Sequence, residues 1–449
     1  MTSQSTPELS GLLDDRPADG LFRVHRSAYT DPRLFELEMA RVFEGTWVFI
    51  GLASQAPRPF DYFTAQLGRQ PVLVTRDEGG RLHAFFNSCR HRGALLATQR
   101  AGTQKVHVCR YHGWAFDAGG RCVHLPARDE GQYPEAFDRE SDHGLVPLPR
   151  FAEYRGLLFA SACADVPSLE QHLGEARWFL DLVLDQAPEG FELVPGSITY
   201  TFEANWKFQM ENGLDYYHFA STHASYMDVL RRRVAHQPPE AGERWVPDET
   251  LDQGTFSFER GHAVMWGNRN SLRVIRPFLQ DPARAEQVRA KVGERAFKWM
   301  QMNRNLTIFP NLQLIDVHSL QLRLWNPLAV DRTEMRSWCL APIGESRESR
   351  RARIRQYEDF FNPSGMATAD DNRMFELSHG GQRALGAGWT EGHLRGLGQP
   401  VVPPKVDPWQ LATTLEIDAV DAKAGDMAFG GETCLHSGYR EWLRLLQRP

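Results

Sequence analysis

The sequence predicts an α+β chain of two unlike parts, a small all-β domain followed by a larger domain in which helices flank an antiparallel sheet. Three observations carry this expectation. At roughly 150 residues per domain, 449 residues exceed what one small module needs. Short β-rich runs separated by glycine turns fill the stretch from Trp47 to about Ala164, and helical periodicity alternates with long strand-like runs after it. With 42% hydrophobic and 24% charged residues, the composition is that of a folded globular chain rather than a disordered, collagenous or coiled-coil one.

Taken in order, residues 31–43 set Leu34, Leu37, Met39 and Phe43 among charges at near-helical spacing, which predicts an N-terminal helical arm. Val72-Leu-Val-Thr, Leu82-His-Ala-Phe-Phe, Val106-His-Val and Gly156-Leu-Leu-Phe-Ala read as strands, with Glu78-Gly-Gly and Asp117-Ala-Gly-Gly as turns between them. Pro167-Ser-Leu-Glu opens a helix with Ser168 as its cap and Leu169, Leu173, Phe179, Leu180 and Val183 on one side. Beyond it the pattern predicts a strand near 197–203, a helix over about 208–221, a Pro-rich polar loop at 236–248 and a long charged helix over about 281–302. Strands near 305–309, 313–325 and 334–340 follow and suit an antiparallel sheet. The closing Glu441-Trp-Leu-Arg-Leu-Leu-Gln reads as an amphipathic docking helix, and the basic runs at 231–233 and 347–355 as solvated helix faces.

Charge and targeting signals narrow the function. Lys and Arg number 51 against 57 Asp and Glu, a net of −6, so no positive field is available to hold a nucleic acid. The first twenty residues lack a basic segment and an apolar run, and no later stretch approaches the roughly 20 apolar residues a membrane span requires. A cytoplasmic protein without membrane partners is expected. Six scattered cysteines are too few for a disulfide scaffold and point instead to thiols or metal ligands.

Two constellations carry chemistry. Cys89-Arg-His91 and Cys109-Arg-Tyr-His112 form C-x-H and C-x2-H pairs separated by seventeen residues, giving two loops with one thiolate and one imidazole each. Tetrahedral zinc is the plainer reading of two Cys and two His. A Rieske [2Fe–2S] cluster fits better, with Cys89 and Cys109 on one iron and His91 and His112 on the other. The second constellation lies in Asn205-Trp-Lys-Phe-Gln-Met-Glu-Asn212-Gly-Leu-Asp215-Tyr-Tyr-His218-Phe-Ala-Ser-Thr-His223. His218 and His223 are five apart, so a regular α-helix would turn their imidazoles away from each other. To share a metal the helix must open or bulge between them; otherwise they are two ordinary hydrogen-bonding histidines. A two-His iron site with open positions needs one carboxylate more. Asp370 and Asp371 are the candidates, and they project about 100° apart on a helix, so one of them can face the iron.

Together these motifs resemble the α (large) subunit of Rieske non-heme iron aromatic ring-hydroxylating dioxygenases. The resemblance spans nearly the whole chain: the Cys89–His112 motif, the EN-x2-D-x2-H-x4-H stretch from Glu211 to His223, and Gly365-Met-Ala-Thr-Ala-Asp-Asp. Asn205-Trp-Lys, Glu211-Asn-Gly and Leu320-Gln-Leu-Arg-Leu-Trp-Asn-Pro-Leu are most similar to the benzoate, toluate and anthranilate branch. The segment after His223, Ala-Ser-Tyr-Met-Asp-Val-Leu-Arg-Arg-Arg, is less familiar and lies near the expected pocket.

The resemblance implies a Rieske domain over 46–165 and a mononuclear-iron domain of the helix-grip (START-like) kind over 166–449, to which the arm at 1–45 also belongs. It implies His218, His223 and Asp371 as iron ligands, with Asp370 as the alternative. Asp215 and Asn212 are the implied catalytic positions, Asp215 bridging His218 to His112 of the partner subunit. The implied activity is O2-dependent hydroxylation of an aromatic ring, in the first instance cis-dihydroxylation of a benzoate-like carboxylate. A Rieske monooxygenase or demethylase, and a non-catalytic Rieske electron carrier, are the rival readings. Implied partners are a small β subunit in an α3 or α3β3 assembly and a separate flavin/iron–sulfur reductase, directly or through a ferredoxin. No strand-linked GxGxxG is present to bind NAD(P)H on this chain. For an aromatic carboxylate, Arg323 or Arg304 is the expected anchor. Phe208, Met210, Tyr216, Met265, Trp266, Leu314 and Phe361 are candidate pocket walls.

Overall fold

In this computed structural model the described residues are 9–235, 253–267, 282–317, 319–398, 402–425 and 431–448. The Pro-rich loop expected at 236–248 lies outside them. Contacts divide the chain into two compact units, Met39–Leu169 and Met1–Glu38 with Glu170–Pro449. Among the described residues no helix is long and apolar enough to cross a membrane.

The Met39–Leu169 unit is built from three small antiparallel sheets. One orders Leu82–Phe86, Gln70–Arg76, Asp61–Leu67 and Ala101–Thr103; a second joins Arg150–Tyr154, Leu157–Ser161 and Val48–Leu52; the third joins Cys122–His124, Ala115–Asp117 and Val106–Val108. The unbroken apolar run in the Gln70–Arg76 strand is explained by burial on both faces. Val72 and Val74 pack into a core with Ile50, Phe63 and Leu158, while Leu73 points the other way, into a cluster that contains Cys89, Cys109 and Trp114. The two predicted glycine turns are alike: Gly80 N–H donates to Asp77 O and Gly120 N–H to Asp117 O, each glycine with positive φ.

The larger unit carries a nine-stranded antiparallel sheet among the described residues. Its order is Phe191–Leu193, Arg332–Pro342, Leu320–Ala329, Leu312–Asp316, Asn303–Ile308, Ala263–Gly267, Gly254–Ser257 and Asp421–Ala424, with Ile198–Phe202 also paired to Arg332–Pro342. The run expected as one strand at 313–325 is therefore two antiparallel strands, Leu312–Asp316 and Leu320–Ala329. The His436–Leu446 helix buries Tyr439, Trp442, Leu445 and Leu446, as its amphipathic pattern predicts.

Several helices differ from expectation, each with a local cause. Leu169–Leu173 and Ala176–Leu184 are separate helices because Gly174 adopts positive φ between them, although all five predicted apolar residues are buried. Pro282–Met300 is interrupted at Gly293, with φ 80° and ψ 163°. The basic run at 347–355 is not wholly a solvated face, since Arg353 is buried and its Nη2 donates to Glu345 Oε1 at 2.8 Å.

Candidate metal centres

Two matching loops carry the first set of donors. In one, Cys89 N–H donates to Ala94 O and Gly93 N–H returns to Cys89 O; in the other, Cys109 N–H donates to Trp114 O and Gly113 N–H returns to Cys109 O. Gly93 and Gly113 have φ of 73° and 74°, so each loop turns where a β-carbon would be strained. Asn87, buried and unremarked in the sequence, clamps the base of the first loop: its Nδ2 donates to Ala97 O, and its Oδ1 accepts from Leu96 N and Ala97 N.

The thiols group together, as do the imidazoles. Cys89 and Cys109 are both buried and within hydrogen-bonding reach, and burial, then the Cys109 thiol, push the Cys89 thiol up. The His91 and His112 rings lie 4.4 Å apart at 70°, with His91 stacked on Trp114 at 5.1 Å. Desolvation, then the charges of His112 and Arg92, hold His91 below the ordinary histidine value, and its buried Nδ1 has no hydrogen-bond partner. Imidazoles on one side and thiols on the other are the donor segregation that a two-iron cluster with mixed ligation takes.

The second centre begins where the Lys207–Asn212 helix stops. Gln313, on the Leu312–Asp316 strand, donates from Nε2 to Gln209 O at 3.0 Å, satisfying a carbonyl of the last turn. A β-carbon on Gly213 would lie 1.9 Å from that same Nε2, so a larger residue there would have to displace the Gln313 amide and its hydrogen bond. The helix expected over 208–221 therefore opens after Gly213. Asp215 Oδ1 then accepts from Tyr217 N at 2.7 Å and His218 N at 3.3 Å, starting the short Phe219–Thr222 helix. His223 follows with φ −104° and ψ 29°, out of helical register, before Ala224–Ala235 begins. This is the opening that two histidines five residues apart need to face one point.

That point is an oxygen of Asp371 on the Thr368–Gln382 helix. His218 Nε2 and His223 Nε2 lie 3.4 and 3.1 Å from Asp371 Oδ1. The ligand atoms of the three residues all lie within 4.8 Å of one another. Asp371 is buried and its Oδ1 has no hydrogen-bond partner, whereas Asp370 is 39% exposed in its side chain and approaches His223 through Nδ1 at 3.7 Å. Desolvation opposes ionisation of Asp371, but the contacts from His218 and His223 outweigh it and hold the carboxyl below its usual range. Burial likewise lowers His218, and the contacts from Asp215 and Asp371 more than reverse it, to about 10. An ungratified carboxylate oxygen facing two imidazole nitrogens fits a divalent metal, which would displace that proton.

Neighbouring residues orient the set. His218 Nδ1 lies 3.2 Å from Asp215 Oδ2, and Asn212 Nδ2 lies 3.4 Å from His218 Nε2. Glu211, whose role the sequence did not suggest, contacts the hydroxyls of Tyr29 and Tyr439 and lies 3.5 Å from His393 Nε2, pinning the end of the Lys207–Asn212 helix.

The expected pocket residues scatter. Phe361 joins a buried apolar cluster with Tyr226, Ile315, Tyr357, Phe360 and Ala367. Phe208 instead stacks on Tyr29 at 5.0 Å, and Met210 packs against Gly438 of the C-terminal helix, so both are core residues. Met265 and Tyr216 belong to a different cluster with Leu214 and Cys434, Trp266 packs on Trp299 at 5.0 Å, and Leu314 is fully buried. Arg304 is not available as an anchor: its Nη1 is 3.0 Å from Asp316 Oδ2 and its Nη2 donates to the carbonyls of Trp299 and Met302. Arg323 is buried without such a partner.

Comparison with known proteins matches residues 192–447 to the ring-hydroxylating alpha subunit catalytic domain and residues 46–149 to the Rieske [2Fe-2S] domain. The toluate 1,2-dioxygenase subunit alpha of Pseudomonas putida is 40% identical over 412 residues, covering 89% of both chains. The anthranilate 1,2-dioxygenase large subunit of Acinetobacter baylyi is 39% identical over 412 residues, covering 87% of this chain and 85% of the relative. Among solved structures, naphthalene 1,2-dioxygenase with indole bound in the active site matches with a TM-score of 0.77 and 26% identity, over 95% of this chain and 92% of the other.

Proposed function

Since the chain belongs to the ring-hydroxylating alpha subunit family, with a Rieske [2Fe–2S] domain ahead of the catalytic domain, we propose that it is the large subunit of a dioxygenase that cis-dihydroxylates a benzoate-like aromatic carboxylate. The observation that carries this reading is the convergence of His218 and His223 on the unpartnered Asp371 oxygen. The two relatives described above, named for toluate and anthranilate, support the carboxylate.

In this reading Cys89 and Cys109 hold one iron of the cluster and His91 and His112 the other, while His218, His223 and Asp371 hold a single iron. When bound, the cluster supplies one-electron transfer and the single Fe(II) supplies O2 activation. The Asp215 carboxylate, with Oδ2 3.2 Å from His218 Nδ1, would hold the ring proton on that nitrogen, leaving Nε2 as the ligand atom. Asn212 sets a polar amide beside that nitrogen. The Tyr226, Phe360 and Phe361 cluster excludes water from one side of His223, whose ring lies 5.8 Å from Phe360. Electrons come from NAD(P)H through a separate flavin/iron–sulfur reductase, directly or through a ferredoxin. The names "subunit alpha" and "large subunit" support a smaller partner subunit in an α3β3 assembly, in which Asp215 bridges to His112 of the partner subunit.

Anaerobically purified protein should contain about three irons and two sulfides per chain, give a Rieske-type EPR signal after dithionite, and consume O2 with benzoates when a reductase is supplied. Zinc without sulfide, or three irons with no arene-dependent O2 uptake, would overturn the reading. Asp215→Asn keeps a turn-forming oxygen but removes the charge. It should retain both metals, leave the reduced cluster slow to reoxidise with substrate and O2, and lower turnover by about 10–100-fold. Normal product formation by Asp215→Asn and Asp215→Ala would remove the bridging role.

A further inference from the structure

Among its described residues the larger unit buries three arginines deeply, and two of them have carboxylates. Arg304 Nη1 meets Asp316 at 3.0 Å, and Arg353 Nη2 meets Glu345 at 2.8 Å. Arg323, on the Leu320–Ala329 strand and only 3% exposed, has none within ion-pair distance among the described residues. Its Nε has no hydrogen-bond partner, and its Nη2 reaches just Thr368 Oγ1, at 3.5 Å. The guanidinium centre lies 5.3 Å from the Phe361 ring. A buried cation with an unused donor is costly, and the fold has matched its other two buried arginines with internal anions.

The surroundings connect this arginine to the proposed iron site. Thr368 precedes Asp371 by three residues on one helix, so the two share a face, one turn apart. Phe361 meets Phe360 at 4.6 Å, and Phe360 meets the His223 ring at 5.8 Å. Tyr200 lies in the field of both Arg323 and Asp371. A guanidinium fork, an aromatic wall and metal ligands are thus contiguous. A flat apolar ring bearing one carboxylate matches that sequence of surfaces, the ring against Phe360 and Phe361 and both carboxylate oxygens on Arg323.

We infer that Arg323 is the residue that selects a carboxylate on the aromatic substrate; this rests on the oxygenase reading above and deepens it. The anion that Arg323 lacks within the fold is brought by the substrate, and orients the ring toward His223 and Asp371.

The test is equilibrium dialysis of labelled benzoate against anaerobic, iron-loaded protein, with benzamide and toluene as neutral competitors, repeated on Arg323→Gln. Wild type should bind benzoate and discriminate against both neutral compounds. Arg323→Gln should lose benzoate affinity by about 100-fold while binding toluene undiminished. Its substrate-free melting temperature should equal or exceed that of wild type, because an unpaired buried charge has been removed. Benzoate affinity within about threefold of wild type in the folded variant would overturn the inference. Should the variant not fold, equal binding of benzoate and benzamide by wild type would overturn it instead, and strong preference for benzoate would support it. O2 uptake with neutral arenes but not benzoates would leave the oxygenase reading standing and remove this one. Benzoate-selective binding lost on Arg323→Gln, without O2 uptake for any arene, would do the reverse.

Discussion

Asp371→Ala is expected to reduce iron from about three to about two per chain, leave the visible spectrum of the cluster unchanged, and abolish O2-dependent product formation. Three facts set this expectation. Both Nε2 atoms point at Asp371 Oδ1, the carboxylate is buried, and among the described residues no other acid meets both histidines. With two neutral imidazoles alone, the site loses the anionic donor that makes a divalent ion stable at this depth. The control is Asp370→Ala. Asp370 is partly exposed and reaches His223 on its Nδ1 side, so that variant should keep three irons and turn over at a rate within several-fold of wild type. Iron and sulfide analysis with O2 uptake on both variants decides the matter. Retention of the third iron in Asp371→Ala together with its loss in Asp370→Ala would exchange the two roles.

Stability should respond most strongly at Lys207, the first residue of the helix that leads to the site. Lys207 and Glu38 are almost completely buried and form a close ion pair, with Lys207 Nζ also donating to Ala28 O at 2.9 Å. Glu38 accepts further hydrogen bonds from the indoles of Trp206 and Trp442, both at 2.8 Å. The N-terminal arm, the Lys207–Asn212 helix and the C-terminal helix thus meet on one carboxylate. Burial lowers the Lys207 pKa and Glu38 opposes that shift, the balance expected of a desolvated pair. Lys207→Met strands the Glu38 charge and should destabilise the protein by about 3–5 kcal/mol in urea unfolding. Adding Glu38→Gln should recover part of that loss, because the stranded charge is removed; recovery stays incomplete, since the indoles donate to different Glu38 oxygens and the amide keeps one acceptor. A loss under about 1 kcal/mol in the single variant would show that the pair is not the tie between these segments.

The covalent order of residues was enough to read the metal chemistry and much of the fold. Spacing within a loop or a helical turn is a local property, so Cys89 to His91, Cys109 to His112, and His218 to His223 mark two candidate donor sets along the chain itself. Strand and turn signals survived for the same reason: side-chain alternation and the positive φ of Gly80 and Gly120 belong to a few consecutive residues. The five-residue spacing even required a break between the two histidines, and the backbone leaves helical register at His223. What spacing did not contain was the partner of each side chain. Asp370 and Asp371 differ by the direction in which one helix presents them to histidines about 150 residues earlier. Arg304 and Arg323 look alike along the chain, yet strand register puts Asp316 opposite the first and, among the described residues, no carboxylate pairs with the second. Asn87 and Gln313 carry no motif, and the motif that contains Glu211 does not disclose its role, because their work lies in long-range hydrogen bonds and in close approach to glycine. Those contacts exist only once the sheet and the helices have packed, and packing direction is a property of the whole fold.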